Sequence, residues 1–136
     1  MPEDKAKHIV CLIDDDNIYQ YTARVILEST GLAKEIQSFY NGSDAINYLT
    51  DPKNFVSDIL PDVIFLDINM PIMDGWEFLE EYGKFYNNLP KPITIYMVSS
   101  SVNSSDMQKS RSYKAVNDYL VKPVSRSKYQ ELMESL

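Results

Sequence analysis

Short apolar runs, each the length of one strand, alternate along this chain with segments of helical period, and that alternation restricts the folds open to it. Residues 8–13 (HIVCLI), 62–66 (DVIFL), 93–98 (ITIYMV) and the weaker 118–121 (DYLV) are rich in branched and aromatic side chains, as buried strands are. Residues 35–39 (EIQSF) alternate apolar with polar and suit a strand nearer an edge. Between these runs, 17–29 places Ile18, Tyr21, Thr22, Val25, Ile26 and Ser29 on one helical face, with Asp15 or Asp16 as cap and Gly31 as stop. Residues 43–49 follow the Asn41-Gly42 turn with Ala45, Ile46 and Leu49 inward, and 76–86 carry Trp76, Leu79, Tyr82 and Phe85 or Tyr86. Residues 104–113 have only Met107 and Tyr113 as apolar anchors, so packing holds this helix least firmly and makes it the candidate mobile element. Residues 125–136 close the series, capped by Ser125, with Tyr129, Leu132, Met133 and Leu136 on one face. Residues 51–61, with two prolines and no period, form the longest loop. Strand followed by helix, five times over, implies an α/β fold: a parallel sheet covered by helices on both faces.

In such sheets ligands bind at the carboxyl ends of the strands, near the point where strand order reverses. Asp14, Asp15 and Asp16 follow the first run, Asp67 the run at 62–66, Ser99, Ser100 and Ser101 the run at 93–98, and Lys122-Pro123 the last. A parallel sheet would gather these carboxylates, a hydroxyl and an ammonium at one edge, although more than a hundred positions separate the first from the last. Carboxylates about 4 Å apart repel by roughly 4 kcal/mol at an effective dielectric of 20, so they need a counter-charge. Mg2+ meets that need, since it favours oxygen ligands and works with one or two carboxylates plus a phosphate oxygen. Lys122 would neutralise a further oxygen. The set suits phosphoryl transfer onto Asp67 as nucleophile, with Ser99 bonding the phosphate once it has arrived.

Composition excludes several alternatives. A chain of 136 residues is sized for one domain, and its formal net charge of -7 disfavours nucleic acid and anionic membranes as direct partners. The lone Cys11 forms no internal disulfide, and the single histidine, His8, leaves no Ser-His-Asp triad or multi-histidine metal site. The opening MPEDKAKHIV is too charged for a secretory leader, and no apolar stretch is long enough for a bilayer, so a cytoplasmic protein without membrane insertion is expected.

Taken in order, Ile13-Asp14-Asp15, Phe65-Leu66-Asp67, Met70-Pro71, Asp74-Gly75, Val98-Ser99-Ser100 and Lys122-Pro123 resemble the receiver domain of two-component response regulators, the chemotaxis-regulator fold. The resemblance implies a flavodoxin-like, doubly wound five-stranded parallel sheet of order 2-1-3-4-5 with five helices. It implies one receiver domain over residues 1–136, with no output domain. Asp67 would be the phosphoacceptor and also a metal ligand, with Asp14 and Asp15 the acidic pair holding Mg2+ and Asn69 the residue whose backbone carbonyl completes the metal site. Ser99 would be the switch hydroxyl, Tyr119 the aromatic that turns inward with it, Lys122 the conserved-type lysine, and the Lys122-Pro123 bond cis. Asn69 and Ser101 occupy the positions that tune dephosphorylation. The implied role is a phosphorelay switch that catalyses its own phosphorylation and dephosphorylation. Its implied partners are a sensor histidine kinase or histidine phosphotransfer protein and a downstream protein target, reached through the fourth helix, fifth strand and fifth helix.

Each motif alone has a plainer reading. Asp14 to Asp16 can cap a helix, Asp67 can be a loop aspartate, Lys122 a surface lysine and Tyr119 a half-buried sheet aromatic. A second class is an enzyme, a haloacid dehalogenase-type phosphatase that takes Asp14 and Asp16 as an Asp-x-Asp nucleophile motif, although it leaves Asp67 unexplained. A third is a scaffold that no longer signals.

Overall fold

In the computed structural model, which describes residues 7–136, β1 (His8–Ile13), β2 (Ala33–Phe39), β3 (Val63–Asp67), β4 (Thr94–Ser99) and β5 (Val116–Val121) form one sheet. Neighbouring strands are all parallel, in the order β2-β1-β3-β4-β5, as the resemblance implied. The chain steps outward from β1 to β2 and then crosses back to β3, so order reverses between β1 and β3. Their carboxyl ends flank the crevice where a ligand is expected. The alternating strand β2 lies at an edge, as its pattern indicated. The segment 1–6, whose charge argued against a leader, lies outside the described residues. Among the described residues no helix is long and apolar enough to cross a membrane.

The helices are α1 (Asn17–Ser29), α2 (Gly42–Thr50), α3 (Gly75–Tyr82), α4 (Ser104–Arg111) and α5 (Arg126–Glu134). Strand side chains alternate between two cores. Val10, Leu12, Phe65, Tyr96 and Val98 pack with Ala23 and Leu27 of α1 and Tyr129 and Met133 of α5. Cys11, Ile13, Ile64, Leu66 and Met97 pack on the other face with Leu49 of α2 and Phe78 and Leu79 of α3. Because successive residues of a strand point to opposite faces, the unbroken apolar runs of β1, β3 and β4 suit strands buried on both sides, whereas β2 and β5, at the two edges, bury only Gln37 and Leu120.

The structure corrects the sequence reading at several points. In α1 the inward stripe is Gln20, Ala23 and Leu27, whereas Ile18, Tyr21 and Val25 are exposed. A stripe drawn through apolar residues misplaced the helix because its deepest polar residue, Gln20, is held inside through its amide nitrogen. The Gln20 amide nitrogen faces the carbonyls of Leu12, Asp14 and Phe39 at 3.2, 3.1 and 3.0 Å. Helix α3 ends at Tyr82, with Gly83 as its C-cap, rather than running to residue 86. Tyr86–Asn88 is a separate 3-10 turn, and Pro52–Asn54 another within the expected loop. Leu136 is partly exposed beyond the end of α5. Helix α4 ends at Arg111, with Ser112 as its C-cap, rather than at Tyr113; Met107 within it and Tyr113 beyond it are only half-buried, and its one buried side chain is Ser110.

Candidate functional site

Each strand end delivers one element of the site. After β1 the chain must turn at once into α1, and Asp16 makes that turn: its Oδ1 accepts from the amides of Ile18 at 2.9 Å and Tyr19 at 3.1 Å. The Asp16 amide in turn donates to Asp14 Oδ1 at 2.9 Å, which fixes a buried Asp14 over the sheet edge. Asp15, between them, is exposed at the rim. Asp67 is the last residue of β3 and is buried. A carboxylate oxygen from each of Asp14, Asp15 and Asp67 can lie within 4.8 Å of the others. The three carboxylates expected to converge therefore do so. Asp16 does not join them, being spent on the cap.

Lys122, just beyond β5, reaches across this group. Its Nζ donates to Asp14 Oδ2 at 2.6 Å and lies 3.4 Å from Asp67 Oδ1. Burial pulls the Lys122 pKa down, but the Asp14 hydrogen bond and the charges of Asp67 and Asp14 outweigh it and hold the group protonated above its ordinary range. Asp67 is affected in the opposite sense to a simple salt bridge. Burial, together with the Asp14 charge, pushes its carboxyl up to about 6 against the pull of Lys122. One ammonium does not balance this set of carboxylates, and the residual repulsion is what a divalent cation would relieve.

Ser99 ends β4 fully buried, and its Oγ accepts from the Ser101 amide at 3.0 Å, leaving its own proton to donate. Tyr119 of β5 donates its hydroxyl to the Ser101 carbonyl at 2.9 Å, so both expected switch residues grip the same loop residue. The Lys122-Pro123 bond is cis, as expected. Asn69 is exposed on the loop after β3. His8 lies at the opposite, amino edge of the sheet, 3.8 Å from Asp62, and takes no part in the site.

The loop from Asp67 to α3 is held tightly. Ile72 has a φ of 69°, costly for a branched side chain, and Asp74 and Glu77 close a capping box at the start of α3. Gly75 then lies directly on the Asp67 backbone. A Cβ there would stand 2.6 Å from the Asp67 carbonyl oxygen and 2.9 Å from Ile68 Cα, neither of which can rotate away. Gly75→Ala is therefore expected to destabilise the protein by about 2–3 kcal/mol in a denaturant titration. An unchanged midpoint would mean that the loop yields freely.

Sequence reasoning missed Tyr19, whose ring centroid lies 4.2 Å from Lys122 Nζ. No motif marks it, and it was read only as part of a helix.

Residues 10–134 match the response regulator receiver domain. The chain is 25% identical over 128 residues to the probable methanogenesis regulatory protein FilR2 of Methanothrix harundinacea, across 94% of this chain and 80% of that protein. It is 32% identical over 120 residues to the sensor histidine kinase CheAY of Helicobacter pylori, matching 87% of this chain but spanning only 13% of that protein. The crystal structure of a two component response regulator from Cytophaga hutchinsonii superimposes with a TM-score of 0.84 at 30% identity, over 96% of both chains. No match supports the phosphatase alternative, and the use of Asp16 as a helix cap removes one of the two aspartates it required. Fold, clustered aspartates and sequence match agree, and the chain belongs to the response regulator receiver domain family, the phosphorylation-dependent switches of two-component signalling.

Proposed function

We propose that Asp67 is the phosphoacceptor of this switch, and that residues 1–136 act as one receiver unit in the cytoplasm. The observation that carries this reading is the convergence of Asp67, Asp14, Asp15 and Lys122 from strand ends far apart in sequence. An oxygen of the ionised Asp67 carboxylate attacks phosphorus while the bond from phosphorus to the donor's imidazole nitrogen breaks. The nitrogen leaves with the bonding pair and takes a proton. Asp14 and Asp15, with the Asn69 carbonyl, would hold Mg2+, which when bound supplies positive charge to the phosphoryl oxygens. Lys122 shifts from its bridge between Asp14 and Asp67 to a phosphoryl oxygen, and the free Ser99 proton offers a second contact. Rotation of Ser99 toward the phosphate would release the Ser101 amide that it now accepts from, and Tyr119 bonds the carbonyl of that same residue. The state of Asp67 thereby reaches the surface of α4, β5 and α5, where a downstream protein would read it.

The donor is a phosphohistidine of a sensor histidine kinase or histidine phosphotransfer protein, since His8 is at the wrong edge. Ile18, Ile72 and Val102, among the most exposed aliphatic side chains at 79%, 80% and 73%, follow β1, β3 and β4 on the site's edge and suit a protein donor. Incubation of the chain with acetyl phosphate and Mg2+ is expected to add one phosphoryl group by intact mass, and none when EDTA replaces the metal. Absence of an adduct together with absence of beryllofluoride binding would overturn the reading.

A further inference from the structure

We infer that Tyr19 is a positioning residue for Lys122, holding the ammonium against the two carboxylates with the face of its ring. The inference rests on the phosphoryl-transfer reading above and extends it to a residue outside the receiver motifs. An ammonium has three N–H groups, and those of Lys122 meet Asp14 at 2.6 Å, Asp67 at 3.4 Å and the Tyr19 ring, whose centroid is 4.2 Å away. Two of these contacts are anions that pull the ammonium inward. The ring closes the third side, where water would otherwise solvate the charge and let the flexible four-carbon stem swing out.

The ring is itself fixed. Tyr19 is half-buried in the first turns of α1, and its hydroxyl lies 3.3 Å from that of Tyr129, a fully buried residue of α5. Tyr129 packs edge-on against Phe65 at 5.1 Å, and Phe65 stands two residues before Asp67 on β3. The surface that carries Lys122 is thus built from the same core that carries the phosphoacceptor. A lysine so confined is already within reach of an oxygen arriving on Asp67, so transfer needs little reorganisation. An aliphatic side chain at position 19 would fill similar space without offering a negative face to the charge.

The test compares the wild type with Tyr19→Leu and Tyr19→Phe, using acetyl phosphate at saturating Mg2+ and following adduct formation by mass. Tyr19→Leu is expected to lower the maximal rate about fivefold to tenfold with the concentration dependence on acetyl phosphate little changed. Tyr19→Phe, which keeps the ring and loses only the hydroxyl pair, is expected to stay within about twofold of wild type. A second measurement excludes simple loss of structure. In a denaturation cycle with Lys122→Met, Tyr19→Leu should cost less than it does beside an intact Lys122, because the contact it removes is already gone. A Tyr19→Leu rate equal to wild type, a Tyr19→Phe rate as slow as that of Tyr19→Leu, or strict additivity in the cycle would each overturn the inference. Failure of the underlying reading looks different, since the wild type itself would then take up no phosphoryl group.

Discussion

Asp67→Asn is expected to take up no phosphoryl group from acetyl phosphate and Mg2+, and yet to be more stable than the wild type at neutral pH without divalent ions. The loss follows from chemistry, because an amide oxygen is too poor a nucleophile to replace the carboxylate. The gain follows from electrostatics. Burial and the neighbouring Asp14 raise the Asp67 carboxyl from its ordinary 3.8 to about 6, so the folded protein holds this proton more tightly than the unfolded chain does. Stability from this group is therefore greatest below about pH 4 and declines as pH rises toward 6, where ionisation is forced on a crowded site. The displacement corresponds to about 3 kcal/mol, of which solvent screening leaves on the order of 2 kcal/mol. Melting curves from pH 4 to 8 should show the wild type falling away from Asp67→Asn through that interval, with added Mg2+ narrowing the gap. Parallel curves would show that Asp67 is not under repulsion, and an adduct on Asp67→Asn would place the phosphoryl group elsewhere.

Lys122→Met should have the opposite effect on stability. It removes the one ammonium that lies 2.6 Å from Asp14 and 3.4 Å from Asp67, and it leaves two buried carboxylates facing each other. Breaking a buried pair on one side costs about 3–5 kcal/mol, and the lower end applies here because the Lys122 side chain is still 18% exposed. Urea titration should show a loss of about 3 kcal/mol at pH 7.5, largely restored by millimolar Mg2+, which offsets the negative charge, or by lowering the pH below 5, where the raised Asp67 carboxyl is protonated. Phosphorylation should slow by about a hundredfold, the usual cost of removing one stabilising contact to a developing anion. A variant as stable as wild type without metal would mean that Lys122 is solvated in solution and not seated between the two aspartates.

The contrast between these variants separates signalling from folding. One loses the reaction while gaining stability, the other loses both, and only an electrostatically strained site produces that pair. The strain also accounts for the tight build of the surrounding loops. A capping aspartate holds Asp14, a positive φ is tolerated at Ile72, and Gly75 lies against the Asp67 backbone.

Strands β1, β3 and β4 were legible because a sheet covered on both faces leaves no room for polar side chains, so their residues run apolar without interruption. The clustered aspartates were legible for the complementary reason. Asp14 and Asp67 stand where those runs stop, and Asp16 stands where a helix must be capped. The face of α1 was misread because hydrophobicity was taken as the only reason to be inside. Gln20 is buried by hydrogen bonding, which a pattern of apolar residues does not register. The end of α3 was misplaced because Phe85 and Tyr86 continue the aromatic pattern after Gly83 has stopped the helix.

By itself the sequence determined the alternation of elements, the parallel sheet and the identity of the residues at its carboxyl edge, since all three depend on local period and on where apolar runs end. Tertiary structure decided what depends on distance between remote residues. That Lys122 sits closer to Asp14 than to Asp67, that Ser99 and Tyr119 meet at Ser101, and that Tyr19 lies over the ammonium are properties of three-dimensional placement. Charge and contact energies fall off with separation in space, and position along the chain does not report that separation until the sheet has closed.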